Sequence, residues 1–480
     1  MKAVVVGGGL AGSAAALELA ERGVSVTLLR HGSGATAASW GTIDVAVPAP
    51  DAIGLPLRDA AHGRSLSPRE RLAHCLRARP HHPYATLFGR GAGGAAEATA
   101  ADAVKRATAA LDAWLAPSGL RVDGSLDAHR LLANVRGAVR VADLALSGPS
   151  DGDLTTALEV EIALVPGLAH YDPRPLARAV AAELVALGVP RPALRVVPLA
   201  LPDGFVPTGG ALARVTARAD TEEGMDALVA AVARRGGRDD RPLRTARGDG
   251  ERRLLLLPPI LGFEGVQGKL VRLREAAGCR VAELMGASPA SPAGLRLSHA
   301  LDAALARRGV TVCAARVVGV ERAGRRVTAV RLARERAGDA GAIAAPEVVL
   351  ERMPAEAVLF ATGRFFGGGL VEAESGLVEP ILGLPLYDGR GVRVDGTQAR
   401  RLVRPSPDDA QSLFSSGVRT DARLRPLAAD GEAACENVFA AGDLLGGFDP
   451  ACERTGLGVA LLSGLRVADE IARLAEGGAP

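Results

Sequence analysis

The hydrophobic pattern at the start of the chain predicts a strand, a helix and a second strand in close succession. Residues 3–6 are apolar and mostly β-branched, and residues 10–19 are rich in Leu and Ala before the chain reaches Gly23. Residues 24–29 are again rich in Val and Leu. Two short strands around one helix are typical of a βαβ unit with parallel strands. The N-terminal segment therefore predicts an α/β fold.

The turn between the first strand and the helix carries the pattern G-x-G-x-x-G, at Gly7, Gly9 and Gly12. In this context the first glycine permits a tight turn, the second lets the backbone approach a pyrophosphate, and the third allows close packing of helix and strand. The N–H groups at the helix N-terminus then face the phosphate. An acidic residue normally ends the second strand and binds the adenosine ribose, but Arg30 stands there. The turn predicts a dinucleotide-binding fold, whereas Arg30 weakens the prediction of a standard adenosine site.

Three later segments extend this pattern toward a flavin. A buried strand ends in A-T-G (361–363), and another ends in Gly-Asp (442–443), whose carboxylate can accept hydrogen bonds from ribityl hydroxyls. The segment G-L-G (456–458) then opens an amphipathic helix, whose N-terminus can stabilise negative charge on a reduced flavin. The order of these segments favours a flavin site over a set of ordinary turns.

Helix and strand signals between the two halves of this pattern predict an insertion. Asp172 and Thr221 have the pattern of helix N-caps, and residues 194–201 resemble a strand. The nucleotide fold resumes near residue 295, where Ser298 has the pattern of another N-cap. We therefore predict an α/β, Rossmann-like FAD/NAD(P)-binding fold with an inserted α+β substrate or cap domain. The predicted parts are 1–154 (flavin-binding, N-terminal), 155–294 (insertion) and 295–480 (flavin-binding, C-terminal).

Composition excludes several function classes. The net charge is only +3, which gives no reason to expect nucleic acid as a partner. Nearly all basic residues are arginine, so a single arginine is weak evidence of function. The five cysteines never form C-x-x-C, which indicates neither an iron–sulfur cluster nor a disulfide framework and favours a reducing cytoplasm. His81 and His82 lack a second cluster with ligand spacing, so we predict no metal.

Several segments resemble the B subunit of anaerobic glycerol-3-phosphate dehydrogenase, a flavoprotein family. The resembling segments are G-G-G-L-A-G (7–12), W-G-T-I-D (40–44), residues 289–296, A-T-G-R-F-F-G-G-G-L (361–370) and G-D-L-L-G-G-F-D-P (442–450). The patterns G-R-F-x-x-G-G-L and L-G-G-x-D-P are the most specific. Residues 48–155 and 235–255 do not match clearly. After D-P the family often has a polar, glycine-rich run, where this chain has C-E-R-T (452–455).

The resemblance implies a flavoprotein that works in a complex. The cofactor would be FMN, with FAD as the alternative, and the partners would be an FAD-containing catalytic A subunit together with an iron–sulfur C subunit. Glycerol 3-phosphate would be oxidised to dihydroxyacetone phosphate, and electrons would pass through the flavin to the iron–sulfur partner and the quinone pool of anaerobic respiration. The family tends to lack the acidic residue that Arg30 replaces. No run approaches the length of a membrane span, so we expect a cytoplasmic protein that contacts the inner face of the membrane only through a partner.

Candidate residues follow from the motifs. Those assigned to flavin binding are Gly7, Gly8, Gly9, Leu10, Ala11, Gly12, Arg30, Gly41, Thr42, Thr362, Gly363, Gly442, Asp443, Gly456, Leu457 and Gly458. Arg296 and Arg364 are candidates for a substrate phosphate, because a guanidinium fork matches phosphate oxygens. No catalytic base stands out: His299 is a candidate, but its helical position favours a structural role.

Two alternatives stay open on the sequence. One is an autonomous flavin-dependent oxidoreductase of the fumarate-reductase type, acting on a small anion, which predicts turnover by the isolated chain. The other is a non-catalytic electron-transfer or scaffold subunit, which predicts a flavin that is reduced only when a partner chain is added.

Overall fold

A computed structural model describes residues 1–32, 34–46, 66–89, 94–235, 249–286, 291–336, 347–406, 409 and 411–477. Four parts of the segments discussed above lie outside the described residues: 48–65, 90–93, 236–248 and 289–290.

The strands are, in chain order, β1 (Lys2–Val6), β2 (Ser25–Arg30), β3 (Val122–Gly124), β4 (Arg130–Ala133), β5 (Val139–Ala142), β6 (Leu144–Leu146), β7 (Glu159–Leu164), β8 (Ala193–Pro198), β9 (Arg253–Leu257), β10 (Arg280–Glu283), β11 (Thr311–Ala314), β12 (Arg316–Ala323), β13 (Arg326–Arg336), β14 (Glu347–Pro354), β15 (Ala357–Phe360), β16 (Val371–Ala373), β17 (Gly376–Val378), β18 (Leu386–Tyr387), β19 (Gly417–Val418) and β20 (Val438–Ala440).

The α-helices are α1 (Leu10–Glu21), α2 (Pro68–Ala78), α3 (Pro83–Phe88), α4 (Gly94–Leu115), α5 (Pro173–Ala186), α6 (Leu212–Arg218), α7 (Glu222–Ala233), α8 (Val266–Ala277), α9 (Pro292–Arg307), α10 (Ser412–Ser415), α11 (Pro450–Glu453) and α12 (Gly456–Ala475). None of the helices in the described segments is both long and apolar enough to cross a bilayer.

The first of two compact units comprises residues 1–36, 44–110 and 301–480. Its main sheet is parallel, with the strand order β11-β2-β1-β15-β20. Val5 at the centre pairs with Leu28 on one side and Leu359 on the other, and all three are buried. Central strands of a parallel sheet are covered on both faces, which is why β1, β15 and β20 consist almost entirely of Val, Leu, Ala and Phe.

The strand order places a topological switch point beside β1. The chain leaves β1 through α1 to β2 on one side, whereas β15 pairs with the other side of β1. Ligands of open α/β sheets bind at the carboxyl ends of the strands, next to such a point. The turns after β1, β15 and β20 all lie at this edge, so the sheet collects three segments that are far apart in the sequence.

Antiparallel strands of the first unit include a meander, β12-β13-β14, and two short pairs, β16-β17 and β18-β19. In the first hairpin Val317 pairs with Leu332 and Val320 with Val330.

The second unit comprises residues 37–43 and 111–300. It contains a parallel sheet in the order β10-β9-β7-β8 and two antiparallel pairs, β3-β6 and β4-β5. The predicted domain boundaries at residues 154 and 294 remain a proposal about independently folding parts.

Two of the three predicted helix caps are confirmed. The Asp172 carboxylate accepts the N–H of Arg174 (3.0 Å) and the Thr221 hydroxyl accepts the N–H of Gly224 (3.1 Å). The prediction for Ser298 was wrong, because α9 begins at Pro292 and Ser298 lies inside it. The Ser291 hydroxyl accepts the N–H of Gly294 (3.4 Å), and Pro292 follows it. Serine followed by proline is itself a helix-start signal, and it was overlooked.

Candidate flavin site

The turn after β1 requires glycine because other backbone segments crowd it. Gly7 has φ of 115°, and a Cβ there would lie 2.1 Å from the carbonyl oxygen of Ala361. A Cβ on Gly12 would lie 1.9 Å from the carbonyl oxygen of Gly7. The first turn, the start of α1 and the A-T-G turn are therefore packed backbone against backbone, at distances that only hydrogen on Cα allows.

The N-terminus of α1 offers a donor toward a phosphate. The first intrahelical bond runs from the N–H of Ser13 to the carbonyl of Gly9 (2.9 Å), so the N–H of Ala11 has no acceptor within the helix. The N–H of Leu10 donates to the Thr36 hydroxyl (2.9 Å). A Cβ on Gly9 would lie 3.2 Å from that same hydroxyl oxygen. A helix N-terminus of this kind favours an anion.

At the end of β2, Arg30 forms an ion pair with a residue that the sequence pattern did not indicate. Its side chain lies across Gly8, since a Cβ on Gly8 would come within 2.9 Å of the Arg30 Cδ. Its Nη1 lies 2.5 Å from Oδ1 of Asp302 on α9. A carboxylate therefore does stand at the end of β2, although it is supplied by a residue 272 positions later.

The Gly-Asp turn after β20 is held against two helices. The N–H of Gly442 donates to the Ser463 hydroxyl of α12 (2.9 Å), and a Cβ on Gly442 would lie 2.8 Å from the Cβ of Ala11. Gly442 also has φ of 71°. The structure thus brings together the first turn, Thr362 and Gly363 of the A-T-G turn, and the Gly-Asp turn. Their contacts with a flavin stay predictions.

Asp443 has an unsatisfied carboxylate oxygen. Its Oδ1 is buried and finds no hydrogen-bond partner among the described residues, and Arg364 Nη2 approaches it only to 3.5 Å. Burial raises the pKa of the Asp443 carboxyl, and the charge of Arg364 opposes that shift while Asp449 adds to it. A buried acceptor without a donor is uncommon in native proteins, and a ligand hydroxyl would satisfy it.

Arg364 is occupied by backbone carbonyls. Its guanidinium donates to the carbonyl oxygens of Phe414, Leu445 (3.1 Å) and Phe448 (3.3 Å), and it lies 5.3 Å from the centroid of the Phe448 ring. The N–H of Leu370 donates to the Arg364 carbonyl (3.0 Å), which folds the G-R-F-x-x-G-G-L segment back on itself. These contacts favour a role in positioning the Gly-Asp turn, and the predicted contact with a substrate phosphate remains untested.

Arg296 lies in the second unit and is enclosed. Its Nη1 is 2.5 Å from Oε2 of Glu283, its Nη2 is 3.0 Å from Oε1, and its Nε donates to the carbonyl of Gly262 (2.7 Å). Both side chains are 1% exposed. Glu283 Oε1 also accepts the N–H of Leu261 (2.8 Å). This geometry favours a structural ion pair over the predicted contact with a substrate phosphate.

Gly41 and Thr42 also lie in the second unit, beside β6. The N–H of Leu146 donates to the Gly41 carbonyl (2.8 Å), and Thr42 pairs with Ala145. The ring of the preceding Trp40 lies over Gly286, where a Cβ would come within 2.9 Å of it. The flavin contacts assigned to Gly41 and Thr42 remain predictions.

The start of α12 is a further close approach in the first unit. The helix begins at Gly456, as predicted, and a Cβ on Gly458 would lie 2.3 Å from the carbonyl oxygen of Asp44. Leu457 stands between these two glycines in the first turn. The roles of Gly456, Leu457 and Gly458 at a flavin stay predictions.

Three buried side-chain oxygens without a hydrogen-bond partner belong to residues that are close in sequence, from Asp443 to the start of α12. Besides Asp443 Oδ1 they are Asp449 Oδ2 and Thr455 Oγ1, neither of which has a hydrogen-bond partner in the described part of the chain. The other oxygen of Asp449 caps α11 by accepting the N–H of Ala451 (2.9 Å). Polar ligand groups would satisfy oxygens of this kind, so the orphaned Oδ1 of Asp443 fits the ribityl hydroxyl predicted for it.

Glu453 was not assigned a role from the sequence and proves to be buried. Its Oε2 lies 2.5 Å from Nη1 of Arg79 and 3.3 Å from Nε2 of His82. Burial lowers the pKa of His82, so we take that ring as neutral and Arg79 as the partner that keeps Glu453 charged. The N–H of Tyr84 donates to Nδ1 of His82 (3.1 Å). Across the described ranges no group of three or more His, Cys, Asp or Glu could hold a metal ion.

The candidate base His299 lies on α9, where its ring centroid is 6.4 Å from that of Phe263. This packing contact agrees with the structural role that its helical position favoured.

Comparison with known proteins now identifies the family. Residues 2–459 match the sequence profile of a family described as an FAD binding domain. The chain belongs to this FAD binding domain family. It is also 28% identical to a protein from Yersinia pseudotuberculosis that is named as the B subunit of anaerobic glycerol-3-phosphate dehydrogenase, over 98% of this chain and 97% of that protein.

Two further similarities are weaker. A protein from Halobacterium salinarum, named as a probable B subunit of anaerobic glycerol-3-phosphate dehydrogenase, is 32% identical over 43% of this chain and 44% of its own length. The solved structure of 3-ketosteroid delta1-dehydrogenase from Sterolibacterium denitrificans covers 98% of this chain and 99% of its own, with 13% identity and a TM-score of 0.41. That overlap is too loose to assign any residue.

These findings confirm the fold class and the resemblance to the B subunit, and the chain is a flavoprotein of the dehydrogenase type. Binding of a flavin is supported by the family, whereas the prediction that the flavin is FMN is not confirmed.

Proposed function

We propose that this chain is the flavoprotein B subunit of an anaerobic glycerol-3-phosphate:quinone oxidoreductase and binds FAD. In that reaction the secondary alcohol of glycerol 3-phosphate becomes the ketone of dihydroxyacetone phosphate, with loss of two electrons and two protons. The electrons leave through a partner iron–sulfur subunit for a quinone. The observation that carries the proposal is the similarity to the B subunit along nearly the whole of both chains.

FAD is proposed in preference to the FMN that the resemblance implied. The family is described as FAD-binding, and its profile spans residues 2–459. The first turn has the pattern that accommodates a pyrophosphate, which FAD has and FMN lacks. Arg30 stands where an acidic residue normally binds the adenosine ribose, which counts against an adenosine. The carboxylate of Asp302 lies 2.5 Å from Arg30 and supplies an acidic group at that end of the strand, which weakens this objection.

The protein's own part in the reaction would be binding and positioning. The backbone around Gly9 and the N–H of Ala11 would hold phosphate, and the unsatisfied Oδ1 of Asp443 would accept a hydrogen bond from a ribityl hydroxyl. Arg364 would keep the Gly-Asp turn in place through its three backbone carbonyl contacts. When bound, the flavin supplies the redox chemistry.

The proposed partners are an FAD-containing catalytic subunit together with an iron–sulfur subunit. The five cysteines of this chain are spaced unlike cluster ligands, so electrons leaving its flavin need another chain. Any contact with the membrane would also be made through a partner.

Activity assays test the proposal against the autonomous alternative. The purified chain is assayed with glycerol 3-phosphate and a quinone analogue, first alone and then with the two candidate partner subunits. We expect turnover only with the partners, because a single chain lacks the cluster that carries electrons onward. Rapid turnover by the chain alone would favour an autonomous oxidoreductase. Flavin reduction by substrate only in the presence of partners would favour the electron-transfer subunit.

A further inference from the structure

A small cavity in the first unit is lined by an arginine that the flavin site does not use. It has a volume of about 250 Å³, and its polar lining is formed by Arg419, His81, Thr86 and Thr420. We call it the Arg419 cavity. None of its lining residues is assigned to the flavin.

Arg419 differs from nearby arginines in having no acidic partner. In the described segments no Asp or Glu forms an ion pair with it; its Nη2 lies 2.7 Å from Nδ1 of His81, and its Cζ lies 4.7 Å from the centroid of the Tyr387 ring. Three arginines of the same region each pair with an aspartate: Arg390 with Asp388, Arg393 with Asp395 and Arg425 with Asp421.

Packing holds His81 beside this guanidinium. A Cβ on Gly391 would lie 2.6 Å from Nε2 of His81, and a Cβ on Gly447 would lie 1.8 Å from the His81 carbonyl oxygen. Because both glycines let the backbone close around the histidine, its ring has little freedom to turn. The Tyr387 ring supports the other partner, Arg419, through a cation–π contact. The cation is therefore oriented before any ligand arrives.

We infer that the Arg419 cavity binds a small oxyanion, either inorganic phosphate or the phosphate group of a small ester. A guanidinium fork donates two parallel hydrogen bonds to such an anion, and the threonine hydroxyls add neutral donors. The volume is below the roughly 300–1,000 Å³ of sites that hold drug-sized ligands, so a ligand of few atoms fits it. This inference does not depend on the proposed function.

Calorimetric titration of the flavin-loaded, full-length chain with inorganic phosphate in a low-salt chloride buffer tests the inference. We expect saturable binding by the wild type and at least about tenfold weaker binding by Arg419→Gln, because the charge and the fork are both lost. Arg393→Gln is the matched control: it removes one arginine charge from the same unit, away from the cavity lining, and should leave phosphate affinity unchanged. No binding by the wild type, or equal affinity in wild type and Arg419→Gln, would overturn the inference.

A second variant keeps the test decisive if Arg419→Gln does not fold. Arg419→Lys retains the charge but loses the planar fork and its stacking on Tyr387. We expect phosphate affinity to fall at least about threefold in that variant, and an unchanged affinity would contradict the inference.

A parallel titration with glycerol 3-phosphate separates the sources of the anion. Tighter binding of the ester than of phosphate assigns the site to a phosphate ester, and equal or weaker binding assigns it to the free anion.

Discussion

Glu283 in the second unit and Asp443 in the first both lie beside a buried arginine, but only one of these carboxylates is satisfied. Glu283 receives two donors from Arg296 and one from the N–H of Leu261. Asp443 Oδ1 receives none, and Arg364 directs its donors to backbone carbonyls instead. From the sequence, Arg296 and Arg364 were candidates for a substrate phosphate and Asp443 for a flavin, whereas Glu283 was assigned no role.

The difference separates a structural pair from a candidate ligand site. A buried ion pair in which every oxygen has a donor leaves nothing for a ligand to add. A buried carboxylate oxygen without a donor is costly in the free protein, and that cost is removed when a ligand supplies the missing hydrogen bond. The comparison therefore favours a structural role for Arg296 and Glu283, whereas Asp443 keeps a free acceptor and its contact with a flavin stays a prediction.

The largest expected effect is on the structural pair. Arg296→Met leaves Glu283 buried without its ion-pair partner, and breaking a buried pair in this way costs about 3–5 kcal/mol. Urea unfolding should show that loss, while the folded fraction should bind flavin with unchanged affinity. Arg393→Gln breaks an exposed pair and should cost about 0–1 kcal/mol. A loss of flavin affinity in folded Arg296→Met would refute the structural assignment.

The next effect concerns the first turn. Gly9→Val places a branched side chain against the Thr36 hydroxyl, where the backbone should approach a phosphate. We expect flavin affinity to fall at least about a hundredfold, which corresponds to about 2.8 kcal/mol. Gly268→Val is the control, because a Cβ on that glycine meets no atom within 4 Å. Full flavin content in purified Gly9→Val would mean that the fingerprint is only structural.

A smaller loss of affinity is expected at Asp443. Asp443→Ala removes an acceptor whose charge-assisted hydrogen bond is worth roughly 1.5–3 kcal/mol, so the dissociation constant for the flavin should rise about ten- to a hundredfold. Fluorescence titration of the flavin-free chain measures it. Asp395→Ala removes a carboxylate from the same unit and should leave the constant unchanged. If both variants bind flavin like the wild type, the Gly-Asp segment is an ordinary turn.

The smallest effect is on the pH dependence of stability. Burial raises the pKa of Asp443 above its usual 3.8, so the protonated form is favoured on folding. That contribution is fully present below pH 3.8 and is lost as the pH rises through the raised pKa. In the flavin-free chain Asp443→Asn should therefore be more stable than the wild type at pH 7, with a smaller advantage at pH 4.5. If the urea midpoints of Asp443→Asn and the wild type differ by the same amount at both pH values, the Asp443 carboxylate is not desolvated.

Local signals in the sequence predicted the parts of this picture that are encoded within a few residues. The strand-turn-helix at Gly7, the caps at Asp172 and Thr221, and the start of α12 depend on neighbours in the chain, so propensity and spacing reveal them. Ser298 shows the limit of this method, because a helix interior tolerates a serine that resembles a cap.

Contacts between residues that are far apart in the sequence could not be predicted from local patterns. No local pattern indicates that Glu283 encloses Arg296 or that Asp302 meets Arg30, because these pairs form only when separate helices and strands pack. Thr36 and Ser463 likewise bind backbone amides of the predicted turns from other elements. Hydroxyls and carboxylates are common in every chain, and only the fold reveals which of them face a given turn.

The most direct test of the flavin assignment is the identity and amount of cofactor in the purified wild-type chain. After gel filtration the protein is denatured, and the released flavin is identified by chromatography and counted per chain by absorbance. We predict a yellow protein that releases about one FAD per chain, since the turns after β1, β15 and β20 lie together at one edge of the sheet. Release of FMN instead would favour the cofactor first predicted from the sequence. A colourless chain that takes up neither FAD nor FMN when either is added would contradict the account.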